Sequence, residues 1–103
     1  MSDNDPFLYE LEGVIRQRLN DPDTYSYTAR LAAEGLPRVA QKVGEEAVEV
    51  AIASVSDKAT EGFRAEVADL VFHLLVLLAV KEVSLAEITT LLRERHESRR
   101  QPD

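Results

Sequence analysis

Two stretches of this chain are apolar at helical spacing, and both carry acids inside the stretch. The first reads Glu45-Glu46-Ala-Val-Glu49, followed by Val50, Ala51, Ile52 and Ala53. The second reads Glu66-Val-Ala-Asp69, followed by Leu70, Val71 and Phe72. Residues three apart on a helix are neighbours, with Cβ atoms roughly 5–6 Å apart. Glu46 therefore pairs with Glu49, and Glu66 with Asp69. Carboxylates withdrawn from water repel one another and lose hydration, which is costly unless something compensates. A divalent cation compensates. One acid pair taken alone belongs most often to a solvated face. Two pairs on neighbouring apolar helices favour a hard-metal site instead.

The chain reads as all-α. A first helix is predicted from about Pro6 to Leu19, with Asp5 as its N-cap, Pro6 in the first turn, and Phe7, Leu8, Leu11, Val14, Ile15 and Leu19 at helical spacing. Asn20-Asp-Pro-Asp23 ends it. A short helix follows from about Tyr27 to Ala33, capped by Ser26 and stopped by Gly35. The third helix runs from Leu36-Pro37 to about Ser54, with a loop at Ser56-Asp57-Lys58, and the fourth from about Glu61 to Lys81. The fifth opens on Ser84-Leu-Ala-Glu87, a capping box, and continues to about Arg95. Short loops predict an antiparallel helical bundle of four to five helices, one domain over residues 1–103.

Composition narrows the function. A net charge of −7 argues against non-specific nucleic-acid binding, since phosphates are neutralised by Lys and Arg patches, and only Arg93–Arg100 is locally basic. With no cysteine, thiolate zinc sites, disulfide scaffolds and cysteine nucleophiles are excluded. The N-terminus lacks the basic start and apolar stretch of a signal peptide, and the most apolar run, Val67–Val80, is too short for a membrane span. The expected location is cytoplasmic.

At about 100° per residue, Glu46 and Glu49 share one sector of the third helix with Lys42 between them. Glu66, Asp69 and His73 share a sector of the fourth. Antiparallel packing of the two helices brings the pairs together. Four carboxylates suit Mg²⁺, Mn²⁺ or Ca²⁺ rather than copper or structural zinc, and Mg²⁺ typically bridges carboxylates to phosphates. The residues leave three points open. Glu45 is either a fifth acid at the site or exposed; His73 is either a ligand contact or a hydrogen-bonded core histidine; Lys42 either meets a phosphate or balances Glu46 and Glu49. His96 reads as solvated. A di-iron bundle needs a Glu three residues before its His, and the residue three before His73 is Leu70.

Lys42-Val-Gly-Glu-Glu-Ala-Val-Glu49 and Glu66-Val-Ala-Asp-Leu-Val-Phe-His73 resemble the phosphoribosyl-ATP pyrophosphohydrolases of histidine biosynthesis, within the MazG-like, all-α nucleotide pyrophosphatases. Both parts of the E-E-x-x-E and E-x-x-D signature are present, with residues 50–65 between them. Ser26-Tyr-Thr-Ala-Arg-Leu31, Gly35-Leu36, Lys42-Val-Gly44 and Asp69-Leu-Val-Phe-His73-Leu-Leu-Val76 point to the histidine-pathway branch, and the likeness runs from about Leu8 to Arg95. The resemblance implies hydrolysis of phosphoribosyl-ATP to phosphoribosyl-AMP and pyrophosphate. It also implies Mg²⁺ (Mn²⁺ as a substitute) on Glu46, Glu49, Glu66 and Asp69, and Glu45 or Glu49 as acceptor of the water's proton. Lys42, His73, Ser26, Tyr27 and Thr28 are then substrate-contact candidates, and the protein a homodimer. The dimer agrees with an apolar circumference on the fourth helix, where Leu70, Val71, Leu74, Leu75, Leu77 and Leu78 cover more than one face. Two other functions stay open: a MazG-like pyrophosphatase for other nucleoside triphosphates, and a non-catalytic dimerisation or metal-binding module.

Overall fold

The computed structural model describes residues 7–21, 25–56 and 60–99. They form five helices and no strand: α1 (Phe7–Leu19), α2 (Tyr27–Ala33), α3 (Leu36–Val55), α4 (Thr60–Val80) and α5 (Leu85–Arg99). Each matches an expected helix to within a residue or two, except that α5 continues past Arg95 to Arg99. His96 and Arg99 lie in its last turn, where positive charge favours the helix dipole. Asp5, Pro6 and the Asp57-Lys58 part of the expected loop lie outside the described residues, as do Pro22 and Asp23.

The helix ends follow their local chemistry. Ser26 caps α2 by accepting from the Ala29 N–H at 3.0 Å. Gly35 both ends α2 and precedes α3, with φ of 101°, a value that side chains other than glycine's rarely adopt. The expected capping box of α5 is formed in both directions: Ser84 N–H donates to Glu87 Oε2 at 2.9 Å, and Glu87 N–H donates to Ser84 Oγ at 3.1 Å. At the end of α4, Val83 N–H reaches the Leu78 carbonyl and Glu82 N–H the Ala79 carbonyl, a Schellman motif. Its left-handed position is held by Glu82 (φ 59°) rather than by glycine.

The buried apolar side chains are Ile15 of α1, Leu31 of α2, Val39 of α3, and Leu75, Val76 and Ala79 of α4. Leu11, Leu19, Val71, Phe72, Leu77, Leu78, Val80 and Leu85 pack around them. This core lies toward the C-terminal half of α4 and the N-terminal half of α3. The antiparallel course of the α3–α4 hairpin follows from side-chain contacts, because Glu46 lies near His73 while Glu49 lies near Glu66. α5 is tied on by Glu12 of α1, whose Oε2 accepts from the Leu85 N–H at 2.7 Å, and by Tyr9 Oη against Thr89 Oγ1 at 3.0 Å.

One expectation needs correcting. An apolar stretch around the first acid pair suggests core at Val48, Val50, Ala51, Ile52 and Ala53, yet Val48 and Ile52 are each 58% exposed, and Val55 beyond them is 84% exposed. α3 has two apolar stripes. Val39, Val43, Val50 and Ala53 lie on one with Glu46 and turn inward; Val48, Ile52 and Val55, at i, i+4 and i+7, form a second that is left uncovered among the described residues. No helix among the described residues is long and apolar enough to cross a membrane.

Candidate metal centre

The inward stripe of α3 meets α4 where the acids are. Glu46, Glu66 and Asp69 each offer a carboxylate oxygen, and the three oxygens lie within 4.8 Å of one another. Glu46 is buried, Glu66 half-buried and Asp69 exposed, so the cluster runs from the protein interior out to solvent. Glu49 is not in this trio. It is hydrogen-bonded to Glu66 and, with Glu66, Ile52, Ala53 and Gly62, lines a pocket of about 270 Å³. A larger cleft of about 680 Å³, lined by Arg16, Leu19, Asn20, Ala32, Ala79, Val80 and Glu82, lies at the far end of α4, and none of the acids reaches it. Convergent charge rather than cavity size therefore marks the site.

Glu46 is the most constrained member. Its Oε1 lies 3.8 Å from Lys42 Nζ and 3.7 Å from His73 Nδ1, both beyond hydrogen-bond length. Its Oε2 is buried without a hydrogen-bond partner among the described residues. A buried carboxylate oxygen left unsatisfied is unfavourable by at least a neutral hydrogen bond's worth of free energy. Beside it stand two further carboxylates. The pKa of Glu66 is raised above the ordinary 4.5, first by partial desolvation, then by its hydrogen bond with Glu49 and by repulsion from Glu49, Glu46 and Asp69. An orphaned buried oxygen amid unbalanced negative charge is what a hard divalent cation relieves, and this donor set of carboxylate oxygens fits one.

The other expected residues fall in different places. Glu45 points away from the cluster, exposed, accepting from Gln41 Nε2 at 3.0 Å with Lys42 Nζ at 3.9 Å. Lys42 thus stands between Glu45 and Glu46. His73 is 6% exposed, and both its ring nitrogens are engaged: Nδ1 lies 2.8 Å from the Asp69 carbonyl oxygen, and Nε2 lies 2.8 Å from Tyr27 Oη. Ser26 is the α2 cap, and Thr28 is buried. The bond between Tyr27 and His73 spans 46 positions, and no local pattern announced it.

A profile described as Phosphoribosyl-ATP pyrophosphohydrolase matches residues 8–96. The chain belongs to the phosphoribosyl-ATP pyrophosphohydrolase family. Among its relatives is a protein of Metallosphaera sedula named phosphoribosyl-ATP pyrophosphatase, 53% identical over 88 residues, covering 85% of this chain and 94% of the relative. A protein of the same name from Pyrobaculum arsenaticum is 47% identical over 88 residues, covering 85% of this chain and 93% of the relative. The histidine biosynthesis bifunctional protein HisIE of Photobacterium profundum is 48% identical over 90 residues. That match covers 87% of this chain but only 43% of the larger protein. Family membership thus rests on nearly the full length of the chain, including all four acids of α3 and α4.

Proposed function

We propose that this protein hydrolyses phosphoribosyl-ATP to phosphoribosyl-AMP and pyrophosphate in the cytoplasm, as a step of histidine biosynthesis. Residues 1–103 would act as one domain, with Mg²⁺, or Mn²⁺ in its place, as cofactor. The observation that carries the reading is the convergence of Glu46, Glu66 and Asp69, in which Glu46 carries a buried, unpartnered oxygen, in a chain of this family. Glu46, Glu66 and Asp69 would hold the cation, with Glu49 joining from the pocket side. When bound, such a cation supplies charge neutralisation to a polyphosphate and makes water a better nucleophile at neutral pH.

The protein's own residues do the rest. Glu49 lines the pocket beside Glu66, so it is the better-placed acceptor for the water's proton. Glu45, turned outward and occupied by Gln41 and Lys42, is poorly placed for that role. The Lys42 ammonium at the cluster's edge can follow a phosphate into the site, exchanging its long contacts with Glu45 and Glu46 for a phosphate oxygen. Two copies would pair through the Val48, Ile52 and Val55 stripe, covering side chains that the described residues of one chain leave exposed.

The deciding experiment is pyrophosphate release from phosphoribosyl-ATP with Mg²⁺, beside an EDTA control and a panel of ordinary nucleoside triphosphates. Metal-dependent release from phosphoribosyl-ATP alone is expected. Release only from another nucleotide would keep the acids and overturn the substrate. No release from any would return the acids to a binding or structural role.

A further inference from the structure

His73 has no free ring nitrogen. The Asp69 carbonyl oxygen can only accept, so His73 Nδ1–H donates to it; in the neutral imidazole Nε2 is then the acceptor, and the Tyr27 hydroxyl donates to it. The same Nδ1 stands 3.7 Å from Glu46 Oε1. The ring is further fixed edge-on to Phe72 and Tyr27, at centroid distances of 5.3 and 5.7 Å and interplanar angles of 86° and 89°. Tyr27 is the first residue of α2, set there by the Ser26 cap. One chain of contacts therefore runs from α2 through Tyr27 and His73 to the Asp69 backbone and to the Oε1 side of Glu46.

Resting on the metal reading above, we propose that Tyr27 is a positioning residue. Through His73 it fixes the Glu46 and Asp69 edge of the acid cluster, and neither side chain is a substrate contact. The Tyr27 hydroxyl selects the Nδ1–H tautomer; the N–H then holds the α4 backbone at Asp69 and places a partial positive charge beside Glu46. Groups that orient ligating side chains without touching the metal commonly change metal affinity or activity by about 10- to 100-fold when removed. Ser26, Tyr27 and Thr28 gain a shared purpose on this view: a cap, a reaching hydroxyl and a buried anchor that seat α2 against α4.

The test uses Mn²⁺ binding to the full-length protein, followed by electron paramagnetic resonance, together with ¹⁵N NMR of the metal-free His73 ring. Tyr27→Phe is expected to weaken Mn²⁺ binding about tenfold and to mix the two ring tautomers. His73→Asn keeps a donor at the Nδ1 position and should hold Mn²⁺ better than His73→Gln, which reaches the Nε2 position instead. In the His73→Asn background, Tyr27→Phe should have no further effect, because its influence passes through the ring. If Tyr27→Phe leaves tautomer and Mn²⁺ affinity unchanged but raises KM, and does so equally in the His73→Asn background, Tyr27 is a substrate contact and the proposal is overturned. A wild-type protein that binds no Mn²⁺ overturns the metal reading and this role with it, a result distinct from wild-type binding that Tyr27→Phe fails to weaken.

Discussion

Glu46→Gln gives the sharpest test of the cluster, because it removes one charge from the buried corner and keeps the side chain's shape. Glu46 has an oxygen within 4.8 Å of oxygens of both Glu66 and Asp69. Each repulsion is then about 0.9 kcal/mol with water-like screening and about 3.5 kcal/mol at an effective dielectric near 20. Lys42, at 3.8 Å, opposes them with an attraction of about 1.1 to 4.4 kcal/mol over the same range. Two repulsions against one attraction leave the charge unfavourable by roughly 0.6 to 2.5 kcal/mol. The desolvation of a carboxylate only 7% exposed adds to this cost. In the metal-free protein Glu46→Gln should therefore raise stability by about 1 kcal/mol, or Tm by about 4–8 °C for a domain of this size.

Adding Mg²⁺ or Mn²⁺ should invert the order. A cation at about 100 times its Kd stabilises the wild type by about 2.7 kcal/mol, and a variant that has lost the site gains nothing. The assay is thermal unfolding followed by circular dichroism, in EDTA and across a metal titration, on both proteins. A variant less stable than wild type in EDTA would show that Lys42 and His73 hold Glu46 as a structural ion pair. Equal metal responses from the two proteins would remove Glu46 from the site altogether.

Three other outcomes are expected. Because the Glu66 pKa is raised in the folded state, its contribution to stability is fully present below the unfolded value of 4.5 and is lost as pH rises through the raised value. The metal-free protein should therefore lose stability from this group on going toward neutral pH, and Glu66→Gln should flatten that slope in Tm measured against pH in EDTA. Glu82→Gly should stabilise by about 0.5–1 kcal/mol, since glycine takes the left-handed end of α4 without a Cβ penalty; chemical denaturation showing a loss would refute this. Ile52→Glu places a charge in the uncovered α3 stripe and should convert a dimer to monomer in analytical ultracentrifugation, whereas a wild-type protein already monomeric would sink the pairing.

How far the structure was legible in the sequence depended on the range of the interaction. Ser26 before Ala29 and Ser84 before Glu87 are contacts three residues apart, so their chemistry could be read directly, and both caps are formed. The acid pairs were legible for the same reason, since i and i+3 fix a shared helix face whatever else the chain does. Glu12 on the Leu85 N–H and Tyr27 on His73 depend on how helices pack across 73 and 46 positions, and neither leaves a periodic trace. Glu82 was hidden differently: glycine marks a left-handed helix end in sequence, and here a glutamate takes the place.

The α3 stripes show where periodicity stops informing. Val48, Ile52 and Val55 repeat as faithfully as Val39, Val43 and Val50, and the pattern states only that each row seeks cover, not which surface provides it. What separates the rows is the polar residue each carries. The inward row includes Glu46, whose buried oxygen no partner satisfies among the described residues, while the outward row from Val48 to Val55 adds only apolar side chains. Apolar cover alone would satisfy the outward row, as another subunit could supply it. It would leave the inward row worse off, because burying Glu46 more deeply without a cation or proton only increases its desolvation. On one helix, then, the two rows ask for different partners: a surface for one and a charge for the other.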